Sequence, residues 1–178
     1  MRNAALTAPQ THPPDHASHS HPSGEALNVD LSDFTTQLYA LVQSLSIAPP
    51  PAAAAPTPTS DLLFRALHLA FAPRAAVPPW RTAAFAKRLL TAALHWPGTV
   101  ALRALEFVAR LVVREPRLEA LLSTEDRTVD GVYRPDVEDP QLSNPFTTSA
   151  FELHLLRTAH VDAQVRDAAM NLVNYVRT

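Results

Sequence analysis

The sequence predicts an all-α fold, and three observations carry that reading. Apolar residues recur at the helical period of about 3.6 in six or seven segments, each bounded by capping or breaking residues. No segment alternates apolar and polar residues as a half-buried strand does. Only three glycines occur in 178 residues, and the seventeen prolines gather in tails and connections, as long helices with proline-containing links require. The helices come in pairs with short links. The expected architecture is therefore an irregular helical solenoid of the HEAT or armadillo type, with a simple helical bundle as the alternative.

Residues 1–26 form a Pro-, Ser-, Thr- and His-rich tail, expected to be disordered because it cannot bury a core. Its histidines (His12, His16, His19, His21) read as a solvated low-complexity stretch rather than a metal site, since nothing holds them in place. The helical domain spans 27–178. Its first helix is expected over 31–46, where Leu31, Phe34, Leu38, Leu41, Val42 and Leu45 form one stripe and Asp30 or Ser32 supplies the cap. A Pro-rich insertion follows at 48–59. Ser60 is the expected cap of a second helix over 60–72, apolar around most of its circumference and so buried on several sides, with His68 half-buried. The prolines of 73–79 break the chain.

A third helix is expected over 81–96, with Lys87, Arg88, Thr91 and His95 on a narrow polar stripe and Pro97-Gly98 as its end. The fourth, over 99–114, places Arg103, Glu106, Arg110 and Arg114 on one face, with Glu106 four residues before Arg110 in the orientation that favours an ion pair. A short helix over 117–122 leads into a loop. Beyond it, Ser149-x-x-Glu152 reads as a capping box for a helix ending near residue 158, and Asp162 as the cap of the last helix.

The loop at 130–147 is the least generic stretch, containing GVYRPDVEDPQLSNPF. Pro135, Pro140 and Pro145 forbid a continuous helix and bias the path to extended geometry. Long ordered loops in compact domains are more often functional than incidental. Tyr133, Arg134, Asp136, Asp139, Asn144 and Phe146 are accordingly the candidate partner-binding residues. Tyr133 and Phe146 are expected to anchor the loop, while Arg134, Asp136 and Asp139 face outward or bridge to neighbouring helices. A Ca²⁺ or Mg²⁺ site at Asp136, Glu138 and Asp139 is set aside, because the loop lacks the internal glycine and closing glutamate of a calcium loop.

A second candidate surface is basic. Arg81, Lys87 and Arg88 on one helix and Arg103 and Arg110 on the next could merge into one positive face for RNA phosphates. Against that, the same residues could pair with Glu106, Glu115 and the acidic loop. The chain's net charge of −2 gives no global argument for nucleic acid. Enzyme readings find no support: there is no Gly-rich phosphate loop, no H-E-x-x-H and no G-x-S-x-G. His154 and His160 lie near Glu152 without an indicated nucleophile. No catalytic residue, cofactor or metal is assigned. The absence of cysteine excludes disulfides and thiolate metal sites. No apolar run approaches the roughly 18 residues of a membrane span.

Five stretches together resemble a known family: LNVDLSDFTTQLYALV (27–42), AFAKRLLTAALHWP (84–97), REPRLEALL (114–122), DGVYRPDVEDPQLSNPF (130–146) and FELHLL (151–156). They are similar to the nucleolar complex-associated protein 3 family in its C-terminal domain of the CCAAT-binding-factor type, over roughly 27–176. The loop is the specific part of the match. Phe151-Glu152-Leu153 departs from the family's Trp-Glu-Leu, one buried aromatic for another. Family members are several hundred residues long, so the chain reads as a fragment or truncated product. The resemblance implies a non-catalytic assembly factor of the nucleus and nucleolus. Its implied partners are nucleolar complex protein 2 and precursors of the large ribosomal subunit, with pre-rRNA or chromatin contact, a tie to replication initiation and no membrane partner.

Overall fold

Prolines that read as chain breaks turn out to be helix starts. The computed structural model describes residues 31–47, 58–73, 75–123 and 130–175. Within these, α1 spans Ser32–Ile47, α2 Pro58–Ala70, α3 Pro79–Ala93, α4 Gly98–Arg114, α5 Glu119–Leu122, α6 Glu152–Ala159 and α7 Ala163–Tyr175. Short 3-10 turns lie at Pro116–Leu118, Pro140–Leu142 and Pro145–Thr147. Helices α2 and α3 and all three 3-10 turns begin on a proline, whose fixed φ suits the first helical position and whose missing N–H would be unpaired there anyway. So α2 starts two residues before Ser60, which is buried inside it, and α3 starts at Pro79 rather than Arg81. The tail at 1–26 and most of the insertion at 48–59 lie outside the described residues.

The all-helical expectation holds, with no strand among the described residues. Residues from Leu31 on form one compact unit. Its axis is α3, packed against α1, α4, α6 and both 3-10 turns of the loop. Eleven of its fifteen residues are buried, because neighbours surround it on nearly every side. That central placement is nearer the bundle alternative than a one-dimensional stack in which each repeat touches only its neighbours.

Phe85 of α3 is the aromatic hub. Tyr39 of α1 meets it edge-on at 5.1 Å and Phe71, just past α2, at 5.0 Å; Phe71 in turn meets Phe107 of α4 at 6.0 Å. Such edge-to-face pairs contribute about 0.5–1.5 kcal/mol beyond area burial. The Tyr39 contact turns α1 away from the stripe its sequence suggests. Thr35, Leu38, Tyr39 and Val42 face the core, whereas Leu31, Phe34 and Leu41 are 60%, 45% and 42% exposed. Helix α2 is one-sided too: Leu63, Phe64 and Leu67 are buried, but Leu62 and Leu69 point outward.

Helix ends are tied by side chains from elsewhere. The Trp96 indole donates to the Leu45 carbonyl in the last turn of α1 (3.1 Å), one of the carbonyls a helix cannot satisfy itself. Arg114 donates to the carbonyls of Phe71 and Ala75 beyond α2 (2.5 and 2.9 Å). Asp162 caps α7 as expected, its Oδ1 accepting from the Gln164 N–H at 2.8 Å. Gly98 opens α4 instead of ending α3, and the Asp162 carboxylate lies so close that a Cβ on Gly98 would collide with it.

Candidate functional site

Lys87 and Arg88 are adjacent on α3; Arg88 grips the loop and Lys87 the segment that follows it. The basic face that the sequence offers for both is not formed, since they are 0% and 4% exposed. The correction follows from the central position of α3, which leaves its polar stripe no solvent to face. Lys87 Nζ donates to both Glu152 carboxylate oxygens at 2.7 Å and to the Ser149 carbonyl at 2.6 Å. The rings of Phe151 and Tyr133 lie 4.3 and 5.1 Å from the same ammonium, within cation–π range. The Thr91 hydroxyl lies 3.0 Å from both Glu152 Oε1 and the Lys87 carbonyl.

Glu152 is therefore not the reaching-back partner of a capping box. Helix α6 begins at Glu152 with Phe151 as its N-cap and no side-chain cap bond. Its carboxylate serves Lys87 instead, because an ammonium buried to this degree requires a charged partner. Arg88 holds the loop itself. Its NH2 donates to the carbonyls of Pro135 (2.7 Å) and Val137 (2.6 Å), and NH1 to that of Tyr39 (3.3 Å). The guanidinium carbon lies over the Tyr39 ring, 3.7 Å from its centroid. One planar cation thus joins α1, α3 and the loop, a task that needs the fork geometry of arginine.

The loop itself is built from local turns. Arg134 N–H donates to the Ser143 carbonyl (2.9 Å), closing a tight excursion. Asp139 Oδ1 accepts from Gln141 N–H (2.8 Å) and so caps the first 3-10 turn. Asn144 is in the left-handed region (φ 49°), and its carbonyl takes the Thr147 hydroxyl at 2.8 Å. Gly131 has φ 117°, where a side chain is strained, and a Cβ there would collide with the Asn144 amide. Gly131→Ala is expected to cost about 1–3 kcal/mol, read as a lower urea midpoint at unchanged slope.

Among the candidate contact residues, Tyr133 is half-buried, and burial raises its phenol well above the ordinary value. Phe146 packs partly buried against the core. Arg134 and Asp136 are exposed, while Asp139 and Asn144 are occupied in holding the turns. Between the end of α1, α3 and the loop lies a cleft of about 140 Å³ bordered by Gln43, Ile47, Thr91, His95, Tyr133 and Pro135. That is smaller than the roughly 300–1,000 Å³ of small-molecule sites.

The basic candidates separate. Arg81 lies beside the Trp80 ring at 5.2 Å. Arg103 pairs with Asp61 of α2 at 2.5 Å, and exposed Arg110 turns to the His68 imidazole (3.5 Å) rather than to Glu106. These two face α2, away from Lys87 and Arg88, so no single merged surface forms. His68 is exposed, its ring meeting Phe107 edge-on at 5.2 Å. His160 accepts from the Asp162 N–H (3.0 Å), and exposed His154 contacts Arg157 (3.1 Å); neither meets Glu152. The Lys87–Glu152 pair escaped sequence reasoning because its members are 65 residues apart. One signal was present: Lys87 is the only lysine in the chain.

An all-helical unit whose central helix commits one buried cation to a loop and a second to the segment just beyond it is a module that presents an ordered loop. The chain belongs to the CBF/Mak21 family, whose model matches residues 16–169. It is 28% identical over 165 residues to nucleolar complex-associated protein 3 of Schizosaccharomyces pombe, covering 83% of this chain and 22% of that protein. It is 31% identical over 150 residues to nucleolar complex-associated protein 3 of Saccharomyces cerevisiae (73% and 22%). With nucleolar complex protein 3 homolog of Homo sapiens the identity is 30% over 151 residues (84% and 18%). The chain thus spans about a fifth of the length of these relatives.

Proposed function

We propose that the chain is a non-catalytic assembly factor of the nucleolus, acting in maturation of the large ribosomal subunit, and that its clamped loop is a protein-contact element. The nucleolar part rests on family membership and on relatives named as nucleolar complex proteins. The ribosomal part, the pairing with nucleolar complex protein 2 and a tie to replication initiation extend the same resemblance. The single observation that favours the loop as the contact is its clamp. Buried Arg88 fixes a segment that leaves Arg134 and Asp136 exposed, and Lys87 ties down the chain just beyond it; an element held this firmly loses little entropy on binding. The non-catalytic reading is supported by how the buried polar groups are used: Lys87, Arg88, Thr91 and Glu152 are all engaged in holding structure.

Affinity purification of the tagged chain from its own cells tests the proposal. Large-subunit precursors and nucleolar complex protein 2 should accompany it, and their absence would contradict the reading. Two sets of substitutions separate fold from contact. Tyr133→Ala and Phe146→Ala should lower stability, by less than the roughly 3–5 kcal/mol of a fully buried aromatic, since both are only partly covered. Arg134→Glu with Asp136→Asn should leave the melt unchanged and weaken partner recovery. Asp139 is unsuitable for that test because it caps a turn.

A further inference from the structure

The α2–α4 side of the molecule, apart from the loop, carries two stripes of polar side chains. Asp61, Arg65 and His68 form a stripe at i, i+4 and i+7 on α2, and Arg103, Glu106, Arg110 and Arg114 a matching stripe on α4. Two contacts join the stripes like rungs, Asp61 to Arg103 and His68 to Arg110, and a third links Arg114 to the Phe71 carbonyl just past α2. The order of the rungs shows that the two helices run in the same direction. At about 1.5 Å per residue, Arg103 and Arg114 lie roughly 16 Å apart along α4.

Four guanidinium groups meet two carboxylates on this ridge, so it is net positive in a chain of net charge −2. Arg65 and Arg110 are exposed and have no carboxylate partner among the described residues. Arg114 bonds only backbone carbonyls, which orient its charge without cancelling it. Arg103 and Arg110 lie beside the rings of Phe64 (4.5 Å) and Phe107 (5.8 Å), contacts that pre-order them. The positive field is felt locally: burial first, then the charges of Arg110 and Arg103, holds the His68 imidazole below its ordinary value.

We infer that this ridge, with Arg65, Arg110 and Arg114 as its contact groups, binds the phosphate backbone of RNA. The inference deepens the proposed function, which sets the chain on an RNA-containing particle, and guanidinium forks match phosphate oxygens. The contact reads charge and carries no base specificity, since the ridge offers no base-stacking aromatic platform of its own.

The test is fluorescence anisotropy of the full chain with a labelled 20-nucleotide single-stranded RNA. With about three phosphate contacts, affinity should fall roughly 20-fold between 50 and 200 mM salt. Arg65→Glu with Arg110→Glu should weaken binding at least about 10-fold at unchanged melting temperature. Glu106→Gln should strengthen it, and Arg134→Glu on the loop should leave it unaltered. No binding at 50 mM salt, equal weakening by the loop variant, or tighter binding of an oligoglutamate peptide would each overturn the inference. Failure here with precursors still co-purifying removes the ridge contact alone. RNA binding without co-purification removes the assembly role instead.

Discussion

Replacing Glu152 by alanine is expected to lower the melting temperature by roughly 6–20 °C. The carboxylate neutralises an ammonium with no exposed surface, and Lys87 and Glu152 side chains are 0% and 1% exposed. Removing one member of such a pair leaves a buried uncompensated charge, a loss of about 3–5 kcal/mol. For a chain of this size each kcal/mol corresponds to roughly 2–4 °C. The sign of the double variant is the sharper result. Lys87→Met with Glu152→Leu removes both charges while keeping apolar volume, and should recover most of the loss. Thermal melts of the two single variants and the double variant close the cycle. Singles that melt like the parent chain, or a double variant no better than either, would show that the pair does not hold α6 to α3.

Arg88→Ala should be the second large effect, and its signature is local as well as global. Three carbonyls from two segments lose their donor, and the Tyr39 ring loses the cation over it. Hydrogen bonds from charged donors contribute about 1.5–3 kcal/mol each, and they are not additive. A loss of about 3–4 kcal/mol in urea unfolding is expected. Arg88→Lys should recover little of it, because a single ammonium nitrogen cannot replace two guanidinium nitrogens that serve the Tyr39 carbonyl and both loop carbonyls at once. A lysine variant as stable as the parent would mean that charge alone, and not the fork, fixes the loop.

The features that could be read from the sequence were those that depend on neighbours along the chain. The Asp162 cap is set by a residue and the N–H two positions on, and it is present. The three loop prolines forbid an α-helix, and none forms, although Pro140 and Pro145 each open a 3-10 turn that an extended reading passed over. The features that escaped depend on distant packing. The stripe on α1 is legible, yet the Tyr39–Phe85 contact, 46 positions apart, decides that Thr35 faces in and Phe34 out. Lys87 and Arg88 looked like solvent-facing charges because amphipathic periodicity assumes one wet side, and α3 has none. The capping box failed for a related reason: Glu152 sits at the right spacing, but a buried ammonium is a stronger partner than a backbone N–H.

The loop's ordering by α3 is tested most directly by amide hydrogen exchange at Arg134, whose N–H donates to the Ser143 carbonyl within the loop. In the parent chain this amide should be protected well beyond the rate of an unstructured peptide. In Arg88→Ala it should lose that protection while amides of α4 keep theirs. An Arg134 amide that exchanges freely in the parent chain, or one that stays protected without Arg88, would contradict the clamp.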